Sequence, residues 1–90
     1  MIEREVTVTI ENGLHARPAA QLVQQASQYQ SKLELVIGQQ KINAKSILHL
    51  MSVAISEGQT IKVMVDGEDE QEAWTFIASF LQPSNESTLR

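Results

Sequence analysis

Asn12-Gly13-Leu14-His15-Ala16-Arg17-Pro18-Ala19-Ala20 is the stretch at which the chain changes period, and the fold reads outward from it. Before it, Val6, Val8 and Ile10 alternate with Thr7 and Thr9, the pattern of a half-buried strand, preceded by a polar Glu3-Arg4-Glu5 edge. Asn12 and Gly13 both tolerate positive φ, so the pair ends that strand in a turn. Beyond it, Ala16, Ala19, Leu22, Val23 and Ala26 recur at three- and four-residue intervals, which predicts one apolar stripe on a helix from about Ala16 to Ser27. His15 then falls at the N-cap, and Pro18 lies in the first turn, where its missing N–H breaks no helix bond.

This placement has a chemical meaning. The first N–H groups of a helix have no intrahelical acceptor, and the aligned peptide dipoles leave partial positive charge there, so the site suits an anion. A neutral imidazole is a nucleophile near neutral pH. A phosphoryl group taken up on His15 would face the N–H groups of Ala16 and Arg17, with the Arg17 guanidinium adding charge-assisted hydrogen bonds. The side-chain amide of Asn12 is a further donor. Taken alone, His-x-Arg also fits an unusual cap beside a solvated charge.

Further along, Leu33, Leu35 and Ile37 alternate with Glu34 and Val36, and Gly38-Gln39-Gln40 supplies a hairpin turn into Lys41–Asn43, so that pair should be antiparallel. Ser46 is a natural N-cap for a short helix built from the apolar segment Ile47 to Ala54. Leu50, Val53 and Ala54 cluster on one side of it. Ile47, Leu48 and Met51 cluster on another, and form either a partner surface or a face covered by loops. Glu57-Gly58-Gln59 is a turn before a last strand with Ile61, Val63 and Val65. Asp69 and Glu72 have capping-box spacing ahead of a helix with the stripe Ala73, Phe76, Ile77, Phe80 and Leu81. Trp74 and Ala78 flank that stripe, and Trp74 reads as a packing residue or an interface edge rather than a ligand platform. Pro83 stops the helix, which leaves one domain over residues 1–83 and a polar, frayed tail over 84–90.

Composition narrows the function classes. There is no cysteine, hence no disulfide framework and no thiol chemistry. Two histidines without His-x-x-x-His spacing predict no metal site, and the lack of a Gly-rich loop predicts no nucleotide or other cofactor. No run is long and apolar enough for a membrane span. The formal charge of −4 opposes direct nucleic-acid binding, but it is uneven. Between Asn12 and Lys62 there are five cations against two carboxylates, whereas Asp66 to Glu72 carries five carboxylates and no cation. The face around His15 is then expected to be locally basic, which suits an acidic partner better than a nucleic acid, a plain solvated surface being the alternative.

Gly13-Leu14-His15-Ala16-Arg17-Pro18-Ala19 resembles the active-site signature of the HPr family, the histidine phosphocarriers of the bacterial phosphotransferase system. Asn43-Ala44-Lys45-Ser46-Ile47-Leu48 resembles the second block of its Gram-positive type, and Gly67-Glu68-Asp69-Glu70-Gln71-Glu72-Ala73 a third. The resemblance implies an α+β open-faced sandwich of order β-α-β-β-α-β-α, with a four-stranded antiparallel sheet covered on one side by three helices. It implies a cytoplasmic monomer, a stoichiometric carrier rather than a self-contained enzyme. His15 would accept a phosphoryl group from phospho-enzyme I and pass it to sugar-specific enzyme IIA, with Arg17, Asn12 and Ala16 at the phosphate. Ser46 would be a regulatory phosphorylation site, served by the HPr serine kinase/phosphorylase and read by a catabolite-control transcription regulator. Ile47, Leu48 and Met51 would dock partners. His49 departs from the small residue often found there, and Asn12 from the serine of some members. A regulatory paralogue of the family works without sugar transfer, but it lacks the active-site histidine that this chain has.

Overall fold

A computed structural model describes residues 1–83; the tail assigned to 84–90 lies outside the described residues. The elements follow as β1 (Ile2–Thr7), α1 (Ala16–Ala26), β2 (Lys32–Ile37), β3 (Gln40–Asn43), α2 (Ile47–Met51), β4 (Thr60–Asp66) and α3 (Glu70–Leu81). One four-stranded sheet has the order β1-β4-β2-β3, every neighbouring pair antiparallel. This is the expected open-faced α+β sandwich.

Alternation decides the faces. Ile61, Val63 and Val65 of β4 are buried with Leu33 and Leu35 of β2, Ile42 of β3, and Ile2 and Val6 of β1. The helices add Ala19, Leu22 and Ala26 from α1, Leu50 from α2, and Ala73, Ile77 and Leu81 from α3 to the same core. α1 and α3 thus each contribute a stripe and α2 the single residue Leu50, and burial of these side chains against the sheet is the main stabilising term.

Several expectations change. β1 runs through the charged triplet instead of starting after it, because β1 is an edge strand and an edge tolerates charge. Glu3 pairs with Lys62 of β4 at 3.0 Å, and the Arg4 guanidinium lies 5.4 Å from the centroid of the half-buried Trp74 ring. β1 ends at Thr7 because its partner β4 begins opposite, at Thr60. Val8 remains fully buried, exchanging backbone bonds with Gln59 (2.8 Å) and Gly58 (2.7 Å). The β2–β3 turn is Gly38-Gln39, and Gln40 already pairs with Ile37. α1 stops at Ala26, and its Ala16 is exposed.

α2 ends at Met51 instead of reaching Ala54, which is exposed; Ile55 is the buried residue that follows. The stripe on α3 divides by depth. Phe76 and Phe80 stay half-buried and, with Tyr29, form an aromatic row with centroid separations of 5.4 and 5.8 Å. Asp69 makes no cap bond to its own helix. Its carboxylate accepts the N–H groups of Gln30 and Ser31, each at 2.9 Å, and the Ser31 hydroxyl. The reciprocal contact at the start of α3 is made by Glu70, which accepts from Gly67 N–H at 3.2 Å.

Candidate functional site

The turn that presents His15 is built from two consecutive left-handed residues, Asn12 at φ 68° and Gly13 at φ 75°. Gly13 is required on two counts. Its φ favours glycine, and a Cβ there would collide with the Ile55 carbonyl and crowd Glu57 N and Ser56 Cα. The 55–57 loop holds the turn by two hydrogen bonds, Leu14 N–H to the Ile55 carbonyl at 2.9 Å and Asn12 N–H to Glu57 Oε1 at 3.1 Å. Gly13 N–H closes the turn onto the Ile10 carbonyl at 2.8 Å.

Two residues after Gly13 comes the N-cap of α1, as expected. His15 is extended (φ −83°, ψ −169°), its carbonyl accepts the Ala19 N–H at 2.9 Å, and its ring makes no cap bond. Among the described residues the N–H groups of Ala16 and Arg17 have no hydrogen-bond acceptor. No carboxylate occupies the first turn of α1, so nothing neutralises the positive end of the helix from within. The exposed His15 side chain lines a cleft of about 380 Å³ with Asn12, Leu14, Met51, Val53 and Glu57.

The remaining candidates are Arg17, the apolar residues of α2, and Ser46. Arg17 is exposed, is not part of the cleft wall and makes no ion pair among the described residues, so its guanidinium is free to move toward a ligand at the helix start. Ile47, Leu48 and Met51 are 38%, 81% and 47% exposed, forming an apolar patch, and Met51 joins that patch to the His15 cleft. Ser46 caps α2 from an extended conformation, its Oγ accepting His49 N–H at 3.2 Å. Lys45 beside it is not a free cation: its Nζ donates to the Tyr29 carbonyl at 2.6 Å.

His49 has a structural part that its position in the sequence did not suggest. Its Nδ1 accepts the backbone N–H of Asn43 at 3.0 Å, so the neutral ring carries its proton on Nε2. Asn43 in turn accepts Lys45 N–H on its side chain (2.9 Å) and Ser46 N–H on its carbonyl (3.0 Å). The turn ahead of Ser46 is thereby held from both sides. Among the described residues, no cluster of three or more His, Cys, Asp or Glu converges in a way that could hold a metal ion. No helix among them is long and apolar enough to cross a membrane.

Glu57 is the cleft residue that sequence reasoning passed over. As part of Glu57-Gly58-Gln59 it read only as a turn, and no local signal brings it against Asn12, 45 positions earlier.

Comparison with known proteins gives the arrangement its context. Residues 2–82 match the family model described as the PTS HPr component phosphorylation site. The chain is 44% identical over 82 residues to phosphocarrier protein HPr of Xylella fastidiosa, covering 91% of this chain and 92% of that protein. The structure of HPr from Bacillus anthracis superposes with a TM-score of 0.86 at 37% identity, covering 90% of this chain and 96% of that one. The Bacillus subtilis catabolite-repression protein Crh, described as a domain-swapped, intertwined dimer, is 44% identical with a TM-score of 0.73 and coverage of 91% and 94%. With the same fold, nearly the whole length matched and a histidine capping the first helix, this chain belongs to the HPr family of phosphotransferase-system phosphocarriers.

Proposed function

We propose that this protein carries phosphoryl groups on His15, taking them from phospho-enzyme I and handing them to a sugar-specific enzyme IIA in the cytoplasm. The observation that carries this reading is the His15 ring at the N-cap of α1, which makes no cap bond, beside the N–H groups of Ala16 and Arg17, which have no acceptor among the described residues. A ring nitrogen attacks the phosphorus, and the new N–P bond forms as the donor's bond to phosphorus breaks, with the electron pair staying on the donor. The helix start, the Asn12 amide and the Arg17 guanidinium stabilise the charge on the phosphoryl oxygens. The acceptor then repeats the exchange in the other direction, which makes the protein a stoichiometric carrier. The exposed patch of Ile47, Leu48 and Met51 beside the cleft suits docking of both partners.

Phosphorylation of Ser46 by an HPr serine kinase/phosphorylase would add two negative charges next to that patch, opposing enzyme I and creating a site for a catabolite-control regulator that presents arginines. Kinship to Crh favours this regulatory side, while His15 favours the carrier. The protein works as a monomer on this reading, which light scattering can check. The decisive experiment is incubation with phosphoenolpyruvate and enzyme I, followed by intact-mass analysis. One added phosphate, labile in acid, stable in base and lost in His15→Ala, is expected; a wild-type protein that gains none sinks the reading.

A further inference from the structure

We propose that Glu57 is a positioning residue of the His15 site: its carboxylate pins the left-handed turn before the histidine, and its charge in the same cleft shortens the life of the phosphohistidine. This rests on His15 being the phosphoryl acceptor proposed above. The turn Asn12-Gly13 sets the direction in which the chain enters α1, and Glu57 Oε1 accepts the Asn12 N–H at 3.1 Å. That bond leaves the Asn12 side-chain amide as the donor Asn12 can offer a phosphate, since its backbone N–H is already engaged. Glu57 also lines the cleft together with His15 and Met51. It makes no ion pair among the described residues, so no cation cancels its charge.

A phosphoryl group on His15 brings about two further negative charges into the cleft. The helix start attracts them and Glu57 repels them. Repulsion destabilises the loaded carrier relative to the empty one, so the phosphoryl group leaves more readily. A carrier benefits from this balance, because a phosphate held too firmly would not be passed on.

Potassium phosphoramidate tests the idea without a protein donor. A ring nitrogen of His15 displaces ammonia from phosphorus: the new N–P bond forms, the old one breaks with its pair on the leaving nitrogen, and the imidazole proton goes to solvent. Hydrolysis then releases orthophosphate and returns a proton to the ring. Peptide mapping restricts the readout to His15. Glu57→Gln keeps an acceptor for Asn12 but removes the charge. It should lose phosphate about two- to fivefold more slowly than wild type at low salt, with the gap closing near ~1 M salt. Glu57→Ala should expose the Asn12 amide to faster hydrogen exchange, and Glu57→Gln should restore its protection. Equal hydrolysis rates for wild type and Glu57→Gln at low salt, or a gap indifferent to salt, would overturn the electrostatic role. Unchanged Asn12 protection in Glu57→Ala would overturn the positioning role. Because phosphoramidate needs no protein partner, these outcomes do not depend on whether enzyme I is the physiological donor.

Discussion

The Asp69 carboxylate, at the N-cap of α3, accepts the backbone N–H of the buried Ser31 at 2.9 Å and also the Ser31 hydroxyl. With the Gln30 N–H it takes three donors from the connection between α1 and β2. The contact ties the start of the last helix to the far end of the first, 38 positions away. The Ser31 hydroxyl, then the Gln30 N–H and the Ser31 N–H, hold the Asp69 carboxyl below the usual carboxylate range, with partial desolvation opposing them.

A stability signature follows from that lowered pKa. The bonded form is the carboxylate, so its contribution is complete above the unfolded value of about 3.9 and fades as pH falls through the lower folded value. Glu70, lowered by the Met1 ammonium and then by Gly67 N–H, acts in the same direction. Asp69→Asn should lower the thermal midpoint near neutrality, and the difference from wild type should shrink as pH drops below about 4. Thermal melts between pH 7 and 3 check this. A difference that grows toward acid pH would contradict the assignment.

Gly13→Ala should be costly. The substitution meets both a positive φ and a collision with the Ile55 backbone carbonyl, which no side-chain rotation can relieve. A loss of roughly 1 to 3 kcal/mol is expected for strain of this kind. Chemical denaturation gives the value directly, and a variant of wild-type stability would show that the turn can reorganise. Gly38→Ala is the control: φ is again positive, but nothing lies within 4 Å of the added methyl, so the cost should be smaller.

Periodicity made α1, the β2–β3 hairpin and the face of α3 legible, because each is a local pattern that tertiary packing reinforces. The start of β1 was not legible. Glu3, Arg4 and Glu5 break the alternation, and only the edge position of the strand explains why they belong to it. Asp69 and Glu72 had the spacing of a capping box, yet Asp69 serves a distant loop, and the pattern cannot show which of two sets of donors wins. His15 and Ser46 stood out because each sits at a helix start. Glu57 did not, since its relation to the site exists only once β4 and the loop before it fold against residues 12–14. Arg17 was expected at the phosphate, but it is free among the described residues, so its role depends on what a bound anion recruits.

That freedom makes Arg17→Lys informative. The charge persists while the planar, bidentate fork is lost. Transfer from enzyme I should slow by about tenfold, a loss of ~1.4 kcal/mol, without a change in thermal midpoint. Unchanged rates in both transfer directions would reduce Arg17 to a surface charge.

His49→Ala separates local from global stability. The ring supplies the acceptor for Asn43 N–H, but Asn43 is exposed, so water can replace the lost bond. The net cost should be about 1 kcal/mol or less, a shift in midpoint of at most ~4 to 8 °C. Exchange of the Asn43 amide should nevertheless accelerate clearly, since that amide loses its partner. Unchanged Asn43 exchange would mean that the imidazole contributes nothing to the turn before Ser46.

The apolar patch offers the clearest division between stability and partner recognition. Leu48 is 81% exposed, so Leu48→Ser removes little buried surface and should alter stability by no more than about 0.5 kcal/mol. Met51 is 47% exposed and borders the His15 cleft, which places it where a docked partner would cover patch and histidine together. If the patch docks enzyme I, truncating either residue removes apolar contact area that is buried only in the complex. A central interface residue is worth more than about 1 kcal/mol, or roughly five- to tenfold in affinity. Leu48→Ser and Met51→Ala should therefore raise the concentration of carrier needed for half-maximal phosphorylation by enzyme I. The rate at saturation should stay close to wild type, since neither side chain stabilises the phosphoryl group. Phosphorylation by phosphoramidate is the matching control and should be indifferent to Leu48→Ser, because a small donor has no use for the patch. An equal slowing of both reactions would show that the substitution disturbs the His15 cleft itself, and an unchanged half-saturation value in both variants would place the docking surface elsewhere.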